Sequence, residues 1–129
     1  MIGYGKLGRN IAKLIKKEGL KFIVIEGDIK TVQDAQKLNE PVIFGNAGQK
    51  RILESVNIKE ASSVIVAISN HRKLNLICET INDLTHNSKT IVKVDNYKEK
   101  ESLSDLNLSH IIVETEETAM AMVEEALRC

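Results

Sequence analysis

Gly3, Gly5 and Gly8 stand in the order G-x-G-x-x-G within Gly3-Tyr4-Gly5-Lys6-Leu7-Gly8. Glycines at this spacing let a strand turn tightly into a helix and bring backbone N–H groups up to an anion, the geometry of phosphate binding. Taken alone the pattern is weak, because any tight turn can use glycine. A second group supports it. Glu26 closes Val24-Ile25-Glu26 and follows Gly3 by about the 20 residues expected of an acid that accepts hydrogen bonds from ribose hydroxyls. The two spacings are independent, and their agreement favours a nucleotide cleft over glycines that serve helix packing alone. Glu26 would repel a 2′-phosphate, and no arginine follows it in Glu26-Gly27-Asp28, so NAD or a simple adenosine nucleotide is expected in preference to NADP. Asp28 has two readings: a second ribose ligand, or the cap of a helix that starts before Thr31.

Other chemistry finds no such support. His71, His86 and His110 have no metal-like spacing to one another or to Cys78. Ser62, Ser63 and Ser69 lack a G-x-S-x-G elbow. The acids of Glu114-Thr115-Glu116-Glu117 open a helix, where the macrodipole favours negative charge without any catalytic role. Lysine plus arginine and aspartate plus glutamate both number 18, so no overall field attracts nucleic acid or an anionic membrane. Only Tyr4, Tyr97, Phe22 and Phe44 are aromatic, too few for a base-stacking surface, and no nucleic acid partner is expected. Cys78 reads as core and Cys129 ends the chain; with no signal peptide or long apolar run, the expectation is a soluble, reduced, intracellular chain.

The elements that must position the glycines and Glu26 alternate. Phe22–Ile25, Val42–Phe44, Val64–Ile68, Ile91–Val94 and Ile111–Val113 are short, β-branched and nearly continuous, as parallel strands covered on both faces must be. Between them lie amphipathic segments: Leu7, Ile11, Leu14 and Ile15 share one helical face, as do Leu74, Ile77, Cys78 and Ile81. The first helix is expected over 7–18, with Met1 and Ile2 as a strand stub in front of the glycines. Pro41 sits at a strand start, where its missing N–H costs little. Alternating units with right-handed crossovers predict an α/β fold, a Rossmann-like doubly wound parallel sheet in three layers, and 129 residues suffice for a single domain of this kind.

These features resemble the RCK, or TrkA-N, domains that regulate potassium channels and transporters. The likeness rests on the glycine motif, the strand ending in an acid, the Gly45-Asn46-Ala47-Gly48 turn after the third strand, and Leu53–Ala61 leading into a fourth strand. It covers nearly the whole chain, and Ile111–Leu127 is most similar to the cytoplasmic domain of Kef potassium efflux systems. The resemblance implies a regulatory domain, 1–129, that is a piece of a larger membrane transport protein. It would lie in the cytoplasm, attached to or associated with the inner membrane. It would bind NAD(H), AMP, ADP or ATP, gate potassium transport or potassium/proton antiport through a membrane channel or transporter partner, and not be an enzyme. The alternative is the nucleotide-binding half of an NAD-dependent oxidoreductase without its substrate domain.

Residue by residue, the resemblance implies phosphate contacts from Gly5, Lys6 and Leu7, the ribose contact from Glu26, and Asn46 with Ala47 flanking adenine; Gly3, Gly8 and Asp28 complete the set of expected nucleotide-binding residues. Lys6 stands where the family often has arginine; a solvated lysine on a first helical turn is the other reading. Asn46 replaces the family's usual aspartate, and Ser69-Asn70 replaces its acidic pair, so an anionic ligand should be repelled less. Lys93 stands where glutathione-responsive Kef systems tend to carry arginines, so glutathione sensing is not implied. In the last helix, Ala119, Met120, Met122, Val123, Ala126 and Leu127 spread apolar character over a wide arc. RCK-like domains commonly dimerise through this region, which implies a homodimer; the other reading has Met120 and Met122 filling gaps in the domain's own core.

Overall fold

Ile2 is hydrogen-bonded on both sides. Its N–H donates to the Ile65 carbonyl and its own carbonyl accepts from Ala67 N, each at 2.8 Å. On the other flank Gly3 N donates to Ile25 O at 2.9 Å and Ile25 N donates to Met1 O at 3.0 Å. The two residues before the glycines therefore act as the central strand of the sheet. The computed structural model describes residues 1–128; Cys129 lies outside the described residues. Around the stub run α1 (Lys6–Lys17), β1 (Val24–Glu26), α2 (Ile29–Lys37), β2 (Val42–Phe44), α3 (Lys50–Ser55), a 3-10 turn (Ile58–Glu60), β3 (Ser63–Val66), α4 (His71–Leu84), β4 (Lys89–Val94), α5 (Tyr97–Ser102), β5 (His110–Val113) and α6 (Glu114–Leu127). No helix among the described residues is long and apolar enough to cross a membrane.

All pairings are parallel: Val24 faces Val42, Ile65 faces Ile91, and Val94 faces Val113. Ile2 bridges Ile25 and Val66, so the strand order is β2-β1-stub-β3-β4-β5. The order reverses at the stub, as a doubly wound sheet requires. Alternate residues of β1 point to opposite layers. Val24 and Val42 pack with Ala12, Val32 and Ala35 of α1 and α2 on one face. Ile25 joins Val64, Val66, Val92 and Val94 against Leu53, Leu74, Ile77 and Ile81 on the other. Cys78 is wholly buried in that second layer, and desolvation pushes its thiol up to about 12.

The observed elements differ from the sequence expectation in instructive places. α1 spans 6–17 rather than 7–18, and its buried face is not the leucine face. Gly8 and Ala12 are buried, Ile11 and Ile15 are half-buried, and Leu7 and Leu14 are 41% and 65% exposed. The cause is close approach. A Cβ at Gly8 would lie 2.2 Å from the Gly3 carbonyl oxygen, so the helix axis comes down onto the turn through its smallest residues and the leucines swing to the flank. β3, β4 and β5 also depart from burial on both faces. Val64, Val66, Val92, Val94 and Val113 are buried, but Ile65, Ile91 and Lys93 are half-buried and Ile112 is 41% exposed. α6 buries none of its residues, with Met120 57% and Met122 68% exposed, which removes the reading of these methionines as gap-fillers in the domain's own core.

Three helices begin on side-chain caps that fix where the strand ends open. Asp28 Oδ2 accepts from Thr31 N at 3.0 Å and from Thr31 Oγ1 at 2.7 Å. Asn70 Oδ1 accepts from Lys73 N at 3.1 Å, and Asn96 Oδ1 from Glu99 N at 3.0 Å. Each satisfies a donor that the first helical turn leaves without a partner.

Candidate functional site

A cleft of about 590 Å³ opens over the carboxyl ends of the stub, β1, β2 and β3, where the chain order reverses. That is where an open α/β sheet splays its crossovers and leaves space for a ligand. Gly3, Gly5, Glu26, Asp28, Asn46 and Ala47 all line it. Lys6, Leu7 and Gly8 do not: Lys6 is exposed on the first turn of α1, Leu7 turns to the helix flank, and Gly8 is buried beneath it.

The three glycines divide by what each does. Gly3 has φ +101°, in the left-handed region, and a Cβ there would meet the Ala67 carbonyl oxygen at 2.3 Å, so the turn itself requires glycine. Gly8 is required by packing, as above. Gly5 is required by neither. Its backbone is extended at φ −75° and ψ −158°, and a Cβ would meet nothing within 4 Å. What glycine provides at position 5 is open floor in front of a helix start that no described side chain caps and whose first turn holds no acid. The N–H groups of that turn are left free to accept an anion, where the macrodipole favours one.

Glu26 faces this from the end of β1. Its Oε1 accepts from Tyr4 N and its Oε2 from Asp28 N, both at 2.8 Å. Two backbone donors thus hold the carboxylate in place, and a carboxylate's roughly four lone-pair directions leave acceptor capacity for hydroxyls in the cleft. Asp28 serves as the cap of α2; its hydrogen bonds from Thr31, side chain first and then backbone, hold its carboxyl below the ordinary aspartate value of 3.8. Asn46 Oδ1 accepts from Gly48 N at 2.9 Å, closing the turn after β2, and Thr80 of α4 donates to the Gly48 carbonyl at 3.0 Å to pin that turn. Asn46 is thereby committed to loop shape, beside buried Ala47.

Two parts of the cleft escape the sequence reading. Lys73, not Lys6, is the cation in its wall, carried by the first turn of α4 beside Ser69 and Asn70. The signal was present: an asparagine cap three residues before a lysine, after a strand end, places that lysine over the sheet's carboxyl edge. Phe44 and Leu76, 56% and 51% exposed, give the cleft an apolar flank of the kind a flat base can cover. Lys93, in contrast, is occupied outside the cleft. Burial alone would lower its pKa, but bonds to Asp95 at 2.7 Å and Glu114 at 3.0 Å outweigh this and raise it.

The fold and cleft define a Rossmann-type domain with a glycine-floored, acid-flanked opening at the carboxyl edge of a parallel sheet. Residues 1–114 match the TrkA-N domain, and the chain belongs to that family. It is 26% identical over 113 residues to an uncharacterized protein of Mycoplasma genitalium, covering 88% of this chain and 49% of that one. It is 23% identical over 125 residues to the chloroplastic K(+) efflux antiporter 1 of Arabidopsis thaliana, covering 97% of this chain and 10% of the antiporter. The chain thus spans half or less of these relatives' length. Among solved structures, the TrkA-N domain of the Escherichia coli inner membrane protein ybaL superposes with a TM-score of 0.88 at 19% identity, over 98% of this chain and 93% of that one. The AMP-bound Kef C-terminal domain of Shewanella denitrificans gives 0.78 at 21%, over 98% and 76%. GsuK bound to NAD gives 0.77 at 16%, over 86% and 20%.

Proposed function

We propose that this chain is a regulatory domain that binds an adenine nucleotide, NAD(H) or AMP, ADP or ATP, and through it gates a potassium channel or transporter of which it is a cytoplasmic part. The observation that carries the reading is the pairing of Gly5 with Glu26 across one cleft: an unobstructed floor at an uncapped helix start, opposite a carboxylate held by two backbone donors. The first suits phosphate and the second ribose hydroxyls. Membership of the TrkA-N family supports the reading, as do the AMP- and NAD-bound proteins of the same fold. Gly3 and Gly8 shape the turn, the N–H groups of Lys6, Leu7 and Gly8 meet phosphate, and the backbone at Asn46 and Ala47 borders the base. Regulation follows if the nucleotide binds one arrangement of the domain better than another, since that difference in affinity biases whatever is attached.

The domain acts as a homodimer through α6, whose apolar residues find no cover among the described residues. Met122→Glu would place an unpaired charge in that contact and shift the chain towards monomer. The test of the nucleotide reading is mass spectrometry of ligand released from the denatured protein, with calorimetric titration of AMP, ADP, NAD+ and NADH. Absence of both released nucleotide and binding would overturn it.

A further inference from the structure

A nucleotide bound as proposed above would run in one direction along the sheet edge. Strand order there is β2-β1-stub-β3, with neighbouring strands about 4.8 Å apart. On that reading the base borders Asn46 and Ala47 after β2, the ribose meets Glu26 at the end of β1, and the first phosphate lies over Gly5 beyond the stub. Whatever is attached to that phosphate continues onto the end of β3. There the cleft wall changes character: Ser69 and Asn70 follow the strand, and Lys73 stands on the first turn of α4.

Lys73 is the one cation among the described residues that line the cleft. It forms no ion pair among the described residues, whereas Lys16, Lys50 and Lys93 each have a carboxylate partner. The cleft's own acids are held elsewhere: Glu26 accepts from Tyr4 N and Asp28 N, and Asp28 accepts from Thr31. Nor does the helix gain from the charge. A cation in a first turn opposes the macrodipole, and α5 and α6 carry glutamates there, whereas α4 opens on His71-Arg72-Lys73 with no acid. An unpaired ammonium in a cleft wall, unfavourable to its own helix, is accounted for by an anion that the cleft takes in.

Lysine meets phosphate as a point charge, so position and charge decide which phosphate it serves. AMP ends over Gly5, one strand short of Lys73. A nucleoside di- or triphosphate reaches past Gly5 and ends in a free phosphate with about two negative charges near neutral pH. In NAD the second phosphate carries a single charge and leads into another ribose. We infer that Lys73 is the specificity residue of this cleft: it holds the phosphate beyond the first, so that a nucleoside di- or triphosphate binds in preference to AMP or NAD(H). The inference rests on the nucleotide reading above and adds the phosphate count to it.

The experiment is isothermal titration of the full chain, at fixed ionic strength, with adenosine, AMP, ADP, ATP and NAD+. ADP and ATP should each bind about tenfold or more tighter than AMP, the worth of one charge-assisted contact, and NAD+ no tighter than AMP. Lys73→Met should remove that advantage, costing ADP and ATP about tenfold and AMP only about threefold through longer-range attraction, with adenosine unaffected. Lys73→Arg should keep most of it. Thermal melting of Lys73→Met without ligand should match or exceed wild type, because an exposed cation leaves a first helical turn. A chain that binds none of the four nucleotides overturns the nucleotide reading and this inference together. Nucleotide binding in which AMP or NAD+ matches ADP, or in which Lys73→Met weakens AMP and ADP equally, overturns the role of Lys73 alone and leaves the nucleotide reading standing.

Discussion

Gly5→Ala separates what the fold needs from what a ligand needs. In the folded chain the new methyl meets no atom within 4 Å, and the extended backbone at φ −75° and ψ −158° suits alanine. Two small terms then compete. Restricting the unfolded chain stabilises by about 0.4–1 kcal/mol. Alanine is a poorer N-cap than glycine, a cost of roughly 0.5–1 kcal/mol. They offset, so the melting temperature should stay within a few degrees of wild type, since about 1 kcal/mol moves a domain near this size by roughly 3–5 °C. Ligand affinity should not be spared. The methyl stands on the floor where a phosphate would approach the backbone, and an overpacked contact of one such group costs about 1–3 kcal/mol, or roughly 5- to 150-fold in Kd. Differential scanning calorimetry and isothermal titration with AMP and NADH read the two halves separately. Gly8→Ala is the control, because its Cβ would sit 2.2 Å from a backbone oxygen and the fold itself should suffer. If Gly5→Ala binds both nucleotides as tightly as wild type, no phosphate lies over Gly5 and the anion-site argument fails.

The other substitutions address the opposite bank and the frame. Glu26→Ala should weaken AMP and NADH by about 1.5–3 kcal/mol for each charge-assisted bond lost. It should also lower stability, because Tyr4 N and Asp28 N lose their acceptor; unchanged calorimetric affinity would remove the ribose role. Lys73→Met should reduce affinity for AMP while leaving adenosine unaffected, and an equal loss for both would mean that Lys73 shapes the cleft without meeting phosphate. Asp28 has a depressed carboxyl, so its cap contributes stability above pH 3.8 that is lost as pH falls through the lower folded value. Melting curves of Asp28→Ala should therefore converge on wild type only in strong acid. Cys78, with its thiol pushed up to about 12, should resist Ellman's reagent at neutral pH in a Cys129→Ser chain and react once denatured. Reaction at the free-thiol rate in the native state would place it outside the core.

Much of the cleft was legible because its requirements are local. A turn that needs φ +101° at Gly3 can hardly be written with another residue, and the acid at the end of the neighbouring strand falls at a spacing set by one helix and two turns. Asp28 was legible only as an alternative, since both capping and ribose binding want a short acid just after a strand; the two bonds to Thr31 show the cap. Lys73 was missed for a different reason. Lys6 is close in sequence to the glycines and is exposed on the first turn of α1. Lys73 reaches the cleft from an element 65 residues further on, and only the fold's reversal at the stub brings α4 beside β1.

The faces of helices and strands were the less legible part, and the errors share one physical cause. Periodicity records where apolar residues recur, not which of them the same chain covers. On α1 the larger residues Leu7, Ile11 and Leu14 outweigh Gly8 and Ala12 in any hydrophobicity pattern, yet a helix settles on a sheet through the side that allows closest approach, and there the smallest residues win. On β3–β5 the nearly continuous apolar runs promised cover on both faces, and the chain supplies it fully on one. In both places the sequence reads as though more were buried than this chain buries. Leu7, Leu14, Ile112, Met120 and Met122 are each exposed by 41% or more, on α1, β5 and α6. Isolated exposed leucines need no explanation, but apolar positions gathered on one helix, as on α6, do, because water contact there forgoes roughly 25 cal/mol for every Å² that could be covered. The homodimer proposed above would cover those on α6.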